Sequence, residues 1–476
     1  MRRRWCLSAL LSAGALWTGA SSAQPVKYEP VSYNYEGIRV DAELGRFTVP
    51  QKHSRPNGPK LKLAFMRLKS TASRPGPPIV YLAGGPGGSG IDIAKGPRGK
   101  LFLELRKVAD VIALDQRGIG KSQPSMKCEG ELELSTPATR ANLLKQVEEA
   151  SRRCAARLRA HGVELGAFNI VESAHDVDAL RRVLGVGKIS LWGSSYGSQL
   201  GFAVLRYHDR NIHRVVFSGV EGPDHTLKLP DIVERQLQRL DSFIKADVAL
   251  RARYAEPQAV VARRVLTRAQ MEPLAVTGTD GQMVRLGPFD IQMALAGLIG
   301  TRGGMAVLPA TLAALDRRDA SSELVQDVAA GSASLRTFVT SAIPFAVDCQ
   351  LGATPSRMEQ VRQLADNALV PDPDFPIPEA CGAWGLKPLP AAARTPVRSG
   401  VPILFFSGTL DGRTPPSNVI DLLPGFSNAR QVLIEGSGHG HDLFVGSPDI
   451  ARDTLAFFGS GEVPVSHITL PALPIQ

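Results

Sequence analysis

The five residues Gly193-Ser194-Ser195-Tyr196-Gly197 spell G-x-S-x-G. That spacing places a serine on a strained turn between a strand and a helix, where small flanking glycines let neighbouring backbone approach and the hydroxyl stands clear. The context fits: KISLW, an apolar strand-like run, precedes the motif, and SQLGFAVLRYH, a helix-like run, follows it. Ser195 is therefore the expected nucleophile, against the plainer alternative of a tight structural turn. A serine needs a base, and the base needs an orienting acid. On a sheet-top site these follow in the order serine, acid, histidine, each on a loop after a later strand. VPILFFSG is followed by TLDGRTPP, which offers Asp411, and ARQVLIEG is followed by SGHGHD, which offers His439 and His441. His439 is preferred because glycines bracket it closely, whereas His441 stands at the start of the next helix. Asp411 has the competing role of an ordinary turn former.

Upstream, YLAGGPGGSG contains G-x-G-x-x-G over Gly85 to Gly90, the spacing with which a turn cradles a dinucleotide pyrophosphate. Asp115, at the end of VADVIALD, stands about where a ribose-binding acid would be. Acyl transfer gives the same loop another use. Its oxyanion needs two backbone N–H donors, one from the residue after the nucleophile, here Tyr196, and one from a glycine loop after an earlier strand. Gly85 is the expected second donor, with Gly84 next to it, and Pro86 stiffens the loop without an N–H of its own. This chemistry requires no cofactor.

The elements that must position these residues alternate. Strand-like runs GIRVDAELGRFTVP, KLKLAFMRLKS, PPIVYLA, VADVIALD, KISLWG and HRVVFSGV are interleaved with helix-like segments such as HDVDALRRVLGV, the pattern of an α/β protein with a mostly parallel, twisted sheet. From about Pro223 to Arg398 the texture becomes helical with Pro-rich breaks. Strand texture then returns in VPILFFSG and ARQVLIEG, and PDIARDTLAFFG closes the chain as a helix. The expected organisation is a sheet core over 24–222 and 399–476, with a helical cap over 223–398 inserted before the acid-bearing strand.

Residues 1–23 combine three arginines, an apolar stretch and small residues before Gln24, and are expected to be a signal peptide, which places the mature chain in the periplasm or outside the cell. Serines and threonine interrupt that stretch too often for a membrane anchor. Export disfavours a freely exchanging nicotinamide cofactor and permits disulfides. With Cys6 in the leader, Cys128, Cys154, Cys349 and Cys381 remain; they allow three pairings, of which Cys128 with Cys154 and Cys349 with Cys381 closes the shorter loops. No C-x-x-C or H-E-x-x-H suggests a metal. The formal charge of +10 falls to about +7 without Arg2, Arg3 and Arg4, and the basic residues are scattered among acids, a solvated surface and not a nucleic-acid footprint.

Taken together, AGGPGGSG, DQRGIGKS, GSSYGSQ, GTLDGRTPP and GSGHG, in this order, resemble the α/β-hydrolase peptidases of the prolyl aminopeptidase and secreted tripeptidyl aminopeptidase group, over roughly residues 30–460. AVDCQ and CGAW resemble the secreted branch. The resemblance implies an α/β-hydrolase fold and a serine aminopeptidase acting on peptide substrates. One departure is Ala83, where the prolyl aminopeptidases usually carry a histidine before the glycines. An enzyme that trims from a free amino terminus must pair a buried ammonium, and Glu221 in VEGPDH is placed for that role, with Asp224 close behind. A secreted carboxylesterase or lipase-like enzyme would use the same triad without such an anchor. A catalytically silent binding protein is disfavoured by the complete set, and an epoxide hydrolase or dehalogenase by the serine at the elbow.

Overall fold

In the computed structural model of the chain, the described residues are 26–278, 281, 283–337, 339–463 and 465–476. The expected signal peptide, 1–23, lies outside them.

Ten strands form one sheet. β1 (Lys27–Tyr35), β2 (Ile38–Pro50) and β3 (Lys60–Leu68) enter as an antiparallel meander. β4 (Gly76–Leu82), β5 (Ala109–Asp115), β6 (Ile189–Ser195) and β7 (Ile212–Val220) continue it, β5 antiparallel to β3 and the rest parallel. A hairpin, β8 (Leu274–Thr277) with β9 (Met283–Leu286), stands apart. β10 (Ile403–Gly408), β11 (Ala429–Glu435) and β12 (His467–Thr469) complete the main sheet in parallel. The strand order is β1-β2-β3-β5-β4-β6-β7-β10-β11-β12.

The central strands are buried almost end to end, as strands covered on both faces must be. One face packs under α3 (Arg140–Ala160), α4 (Ile170–Val183) and α5 (Tyr196–His208), through residues such as Leu191, Phe202, Phe217 and Phe405. The other packs under α1 (Gly90–Lys95), α2 (Gly99–Leu105) and the helix Pro448–Gly459, through Tyr81, Phe102, Trp192 and Phe406.

The chain between β7 and β10 contributes no strand to the main sheet. Its helices Ile232–Ala246, Gln258–Met271, Pro288–Leu298, Arg302–Asp316 and Glu323–Ser334 bury a core of their own around Leu237, Val265, Met305, Leu312 and Val325. Cys128 is bonded to Cys154, and Cys349 to Cys381.

Three elements depart from the sequence expectation. β1 adds an antiparallel strand ahead of the expected opening pair. The helical segment contains the β8–β9 hairpin, whose strands of four residues are too short for periodicity to declare. The chain does not close on a helix: β12 follows Pro448–Gly459 and pairs with β11. Among the described residues no helix is long and apolar enough to cross a membrane.

Candidate active site

Ser195 is the last residue of β6 and sits at φ 54°, ψ −127°, a backbone conformation that a residue with a side chain rarely adopts. The sharp turn is possible because Gly197 tucks against β4: a Cβ there would lie 1.9 Å from the Leu82 carbonyl oxygen. Gly84 approaches from the other side, where a Cβ would come within 2.8 Å of the Ser194 carbonyl and 3.0 Å of Ser195 Cβ. Both close contacts demand glycine, and together they seat the glycine loop against the serine. Tyr196 opens α5, so its N–H belongs to the first turn, whose donors have no intrahelical acceptor. Gly85 (φ 126°) forms a cis bond with Pro86, and the Gly88 N–H closes the loop on the Gly84 carbonyl at 3.0 Å.

Asp411 lies in the turn after β10 and is wholly buried. The backbone N–H groups of Arg413 and Thr414 donate to its Oδ1 at 2.8 and 2.7 Å, and the Thr414 hydroxyl donates to Oδ2 at 2.7 Å. His439, after β11, brings Nδ1 to 2.8 Å from Asp411 Oδ2 and 2.9 Å from Thr414 Oγ1. Burial alone would raise the Asp411 carboxyl, but the His439 charge and these hydrogen bonds outweigh it and hold it below its ordinary value. Ser195 Oγ makes no hydrogen bond to His439 in this structure; both residues line one cavity. Free enzymes commonly hold this contact long and tighten it around substrate.

That cavity, about 320 Å³, is lined by Gly84, Gly85, Ile93, Arg98, Ser194, Ser195, Glu221, Lys228, Arg413 and His439. The structure thus brings together Ser195, Gly84, Gly85, Glu221 and His439, with Asp411 directly behind the histidine. Two cavities of similar or greater size include none of these residues: one of about 540 Å³ between the stretch 134–138 and the helical segment, and one of about 350 Å³ within that segment. That segment nevertheless supports the site. The Gly300 carbonyl accepts from the His439 N–H at 2.8 Å, and Gln236 donates to the Asp411 carbonyl at 3.2 Å.

Glu221 is buried at the cavity, but its carboxylate is already paired: Lys228 Nζ donates to Oε1 at 2.9 Å. Burial would lower the Lys228 ammonium, and Glu221 and Asp374 reverse that and raise it. Asp224 is committed elsewhere, accepting from the Thr354 N–H and hydroxyl. His441 stands at the start of the short helix Asp442–Val445 and takes no part in the Asp411 cluster. Asp115 is engaged internally, accepting from Ser89 Oγ and from the Ile91 and Lys121 N–H groups. Wholly buried, its carboxylate braces the glycine loop and the DQRGIGKS turn. Sequence reasoning missed Thr414 and Lys228. Thr414 was visible in TLDGRTPP, three residues after Asp411 in the turn that Asp411 organises; nothing in sequence spacing singles out Lys228, seven residues from its partner in a loop.

A family model described as the alpha/beta hydrolase fold matches residues 77–293, and one described as TAP-like protein matches residues 375–469. The serine protease Hip1 of Mycobacterium tuberculosis is 26% identical over 234 residues, covering 46% of this chain and 43% of that protein. The tripeptidyl aminopeptidase of Streptomyces lividans is 27% identical over 191 residues, covering 38% of this chain and 36% of that protein. Carboxylesterase B of Mycobacterium tuberculosis is 28% identical over 158 residues, covering 28% and 30%. The chain thus spans less than half the length of the curated relatives it matches.

Proposed function

From the premise that this chain belongs to the α/β hydrolases, in the peptidase group to which those relatives point, we propose that it is an exported serine aminopeptidase that releases single residues or short peptides of tripeptidyl type from free peptide N-termini. The observation that carries the reading is the 2.8 Å link from Asp411 to His439, whose ring shares a cavity with a serine held on a strained turn.

In the proposed mechanism His439 takes the Ser195 proton as the serine attacks the scissile carbonyl, and buried Asp411 orients the imidazole and stabilises its cation. The N–H groups of Tyr196 and Gly85 stabilise the oxyanion, aided by the positive end of α5. His439 then protonates the leaving amine, and water completes deacylation by the reverse path. The helical segment, 223–398, acts as a cap that limits how much peptide enters. Two disulfides are compatible with export.

Glu221 is the proposed anchor for the substrate ammonium, which would share or replace its contact with Lys228. The same pairing favours a second reading. With Glu221 already paired to Lys228, no free carboxylate among the described residues of the cavity wall is left to hold an ammonium, as in a carboxylesterase, which needs no such anchor.

Hydrolysis of a matched set decides between them: a tripeptide amide reporter with a free amino terminus, its N-acetylated twin, a single-proline reporter and a short-chain ester. Cleavage of the free tripeptide and not its twin supports the aminopeptidase. Cleavage of the ester alone, or indifference to acetylation, rejects it in favour of the esterase. Ser195→Ala should reduce every activity by about a thousandfold or more, and an unchanged rate in the pure variant would reject the nucleophile.

A further inference from the structure

The cations of the catalytic cavity are not equally matched. Lys228 is paired with Glu221 at 2.9 Å, and Arg413 reaches Asp374 at 3.5 Å and the Pro373 carbonyl at 3.1 Å. Arg98 has no carboxylate within ion-pair distance among the described residues. Its Nη1 donates to the Tyr81 hydroxyl at 2.5 Å, its Nε is buried with no partner, and no described residue hydrogen-bonds its Nη2. The guanidinium lies 3.8 Å from the centre of the Phe444 ring, so it is held in place by a hydroxyl and an aromatic face, neither of which cancels its charge.

A fixed guanidinium on the wall of a reaction cavity, with no carboxylate against it and an Nη2 that no described residue hydrogen-bonds, is a receptor for an anion. Resting on the reading of the cavity as a peptidase site, we infer that Arg98 is a specificity-determining residue that receives a carboxylate of the peptide substrate. That carboxylate comes either from an acidic side chain near the cleaved bond or from the C-terminus of a short peptide. Arginine suits the task better than lysine, because its planar group can lie on Phe444 and donate to Tyr81 while Nη2 remains for the carboxylate. The Glu221–Lys228 pair contributes no net charge and Arg413 faces Asp374, so Arg98 is the cavity cation without a carboxylate partner among the described residues.

The test is binding to the full chain in a Ser195→Ala background, read by titration calorimetry, which does not depend on turnover. Three peptides of one length, each with a free amino terminus, are compared: neutral with a C-terminal amide, neutral with a free C-terminal carboxylate, and amidated with one glutamate. At least one carboxylate peptide is expected to bind roughly tenfold tighter than the neutral amide, as one charge-assisted contact allows. The peptide that carries the advantage identifies the source. The advantage should fall to within about twofold in Ser195→Ala/Arg98→Gln and survive in part in Ser195→Ala/Arg98→Lys. Equal binding of all three peptides, binding of none, or an advantage that persists without Arg98 would overturn the inference. An equal loss for all three on removing Arg98 would do so too, reducing the residue to a clamp on Phe444. The ester and reporter assays with unmutated Ser195 report separately on the serine hydrolase reading.

Discussion

Thr414 bridges Asp411 and His439, its hydroxyl 2.7 Å from the carboxylate Oδ2 and 2.9 Å from the imidazole Nδ1. The hydroxyl donates to Asp411 while the ring N–H is directed at the same oxygen, so Thr414 fixes the carboxylate that fixes the ring. It touches no substrate and acts through its neighbours. A hydrogen bond to a charged group is worth about 1.5–3 kcal/mol, and roughly that loss in the transition state is a ten- to hundredfold fall in kcat. Thr414→Val should show this fall with little change in KM, and Thr414→Ser should restore most of it. Activity kept in Thr414→Val and lost in Thr414→Ser would mean that the methyl group, and not the hydroxyl, matters.

Lys228 and Glu221 are predicted to trade stability against substrate binding. Lys228→Met leaves a buried carboxylate without its cation, a change that costs about 3–5 kcal/mol where a pair is fully enclosed. The ammonium is held above its ordinary value, so its stabilising contribution is complete below that value and is lost only as pH rises through the folded one. At neutral pH the variant should therefore melt lower. If Glu221 is the ammonium anchor, its release should lower KM for free-amine peptides while leaving the acetylated twin unaffected. A raised KM for the free amine would show that Lys228 serves the substrate and not only its partner.

The site was legible wherever chemistry imposes local spacing. Ser195 is flanked by glycines because Leu82 presses on Gly197, and Phe217 and the Gly197 carbonyl press on Gly193, and that pressure leaves a pattern in the sequence. Asp411 and His439 were found because each follows a strand whose apolar run is unmistakable. Long-range pairings leave no such trace. That Glu221 is already neutralised, that Arg98 lies over Phe444, and that β1 extends the sheet beyond the expected pair follow from tertiary packing between segments whose separation in sequence carries no rule. The β8–β9 hairpin was hidden for a different reason, since four residues do not establish a period.

The two disulfides close loops with separations of 26 and 32 residues. By chain entropy each is worth about 3–4 kcal/mol. Cys128–Cys154 ties the segment before α3 to that helix, and Cys349–Cys381 joins the helix Ile343–Leu351 to the turn Glu379–Trp384. Cys349→Ser with Cys381→Ser should lower the urea midpoint and increase proteolysis between 343 and 394, measured by limited digestion. An unchanged midpoint would mean that packing alone secures this segment.

His225 gives the fold an acid sensitivity distinct from that of Asp411. The ring is buried beside the cavity, its Nδ1 accepting from the Gly222 N–H at 3.1 Å. Burial, reinforced by the Arg357 and Lys228 charges, pushes it down from 6.5 to about 3. The neutral ring is the folded form, whereas the unfolded chain takes up a proton near 6.5. Its contribution is thus complete above that value and is lost progressively as pH falls toward 3, amounting to about 2 kcal/mol by pH 5. Asp411 is separated from this window: its carboxyl is depressed, so what it contributes is present above the ordinary carboxylate value of 3.8 and is lost only as pH falls through its lower folded value. Burial also lowers His175, His208, His213 and His441, so it is the comparison of wild type with a His225 variant, by urea unfolding at pH 7.5 and pH 5, that isolates this histidine. Wild type should lose about 2 kcal/mol more between the two than His225→Asn, which keeps an acceptor for Gly222 and has no proton to take. Equal losses would assign the acid sensitivity to another group.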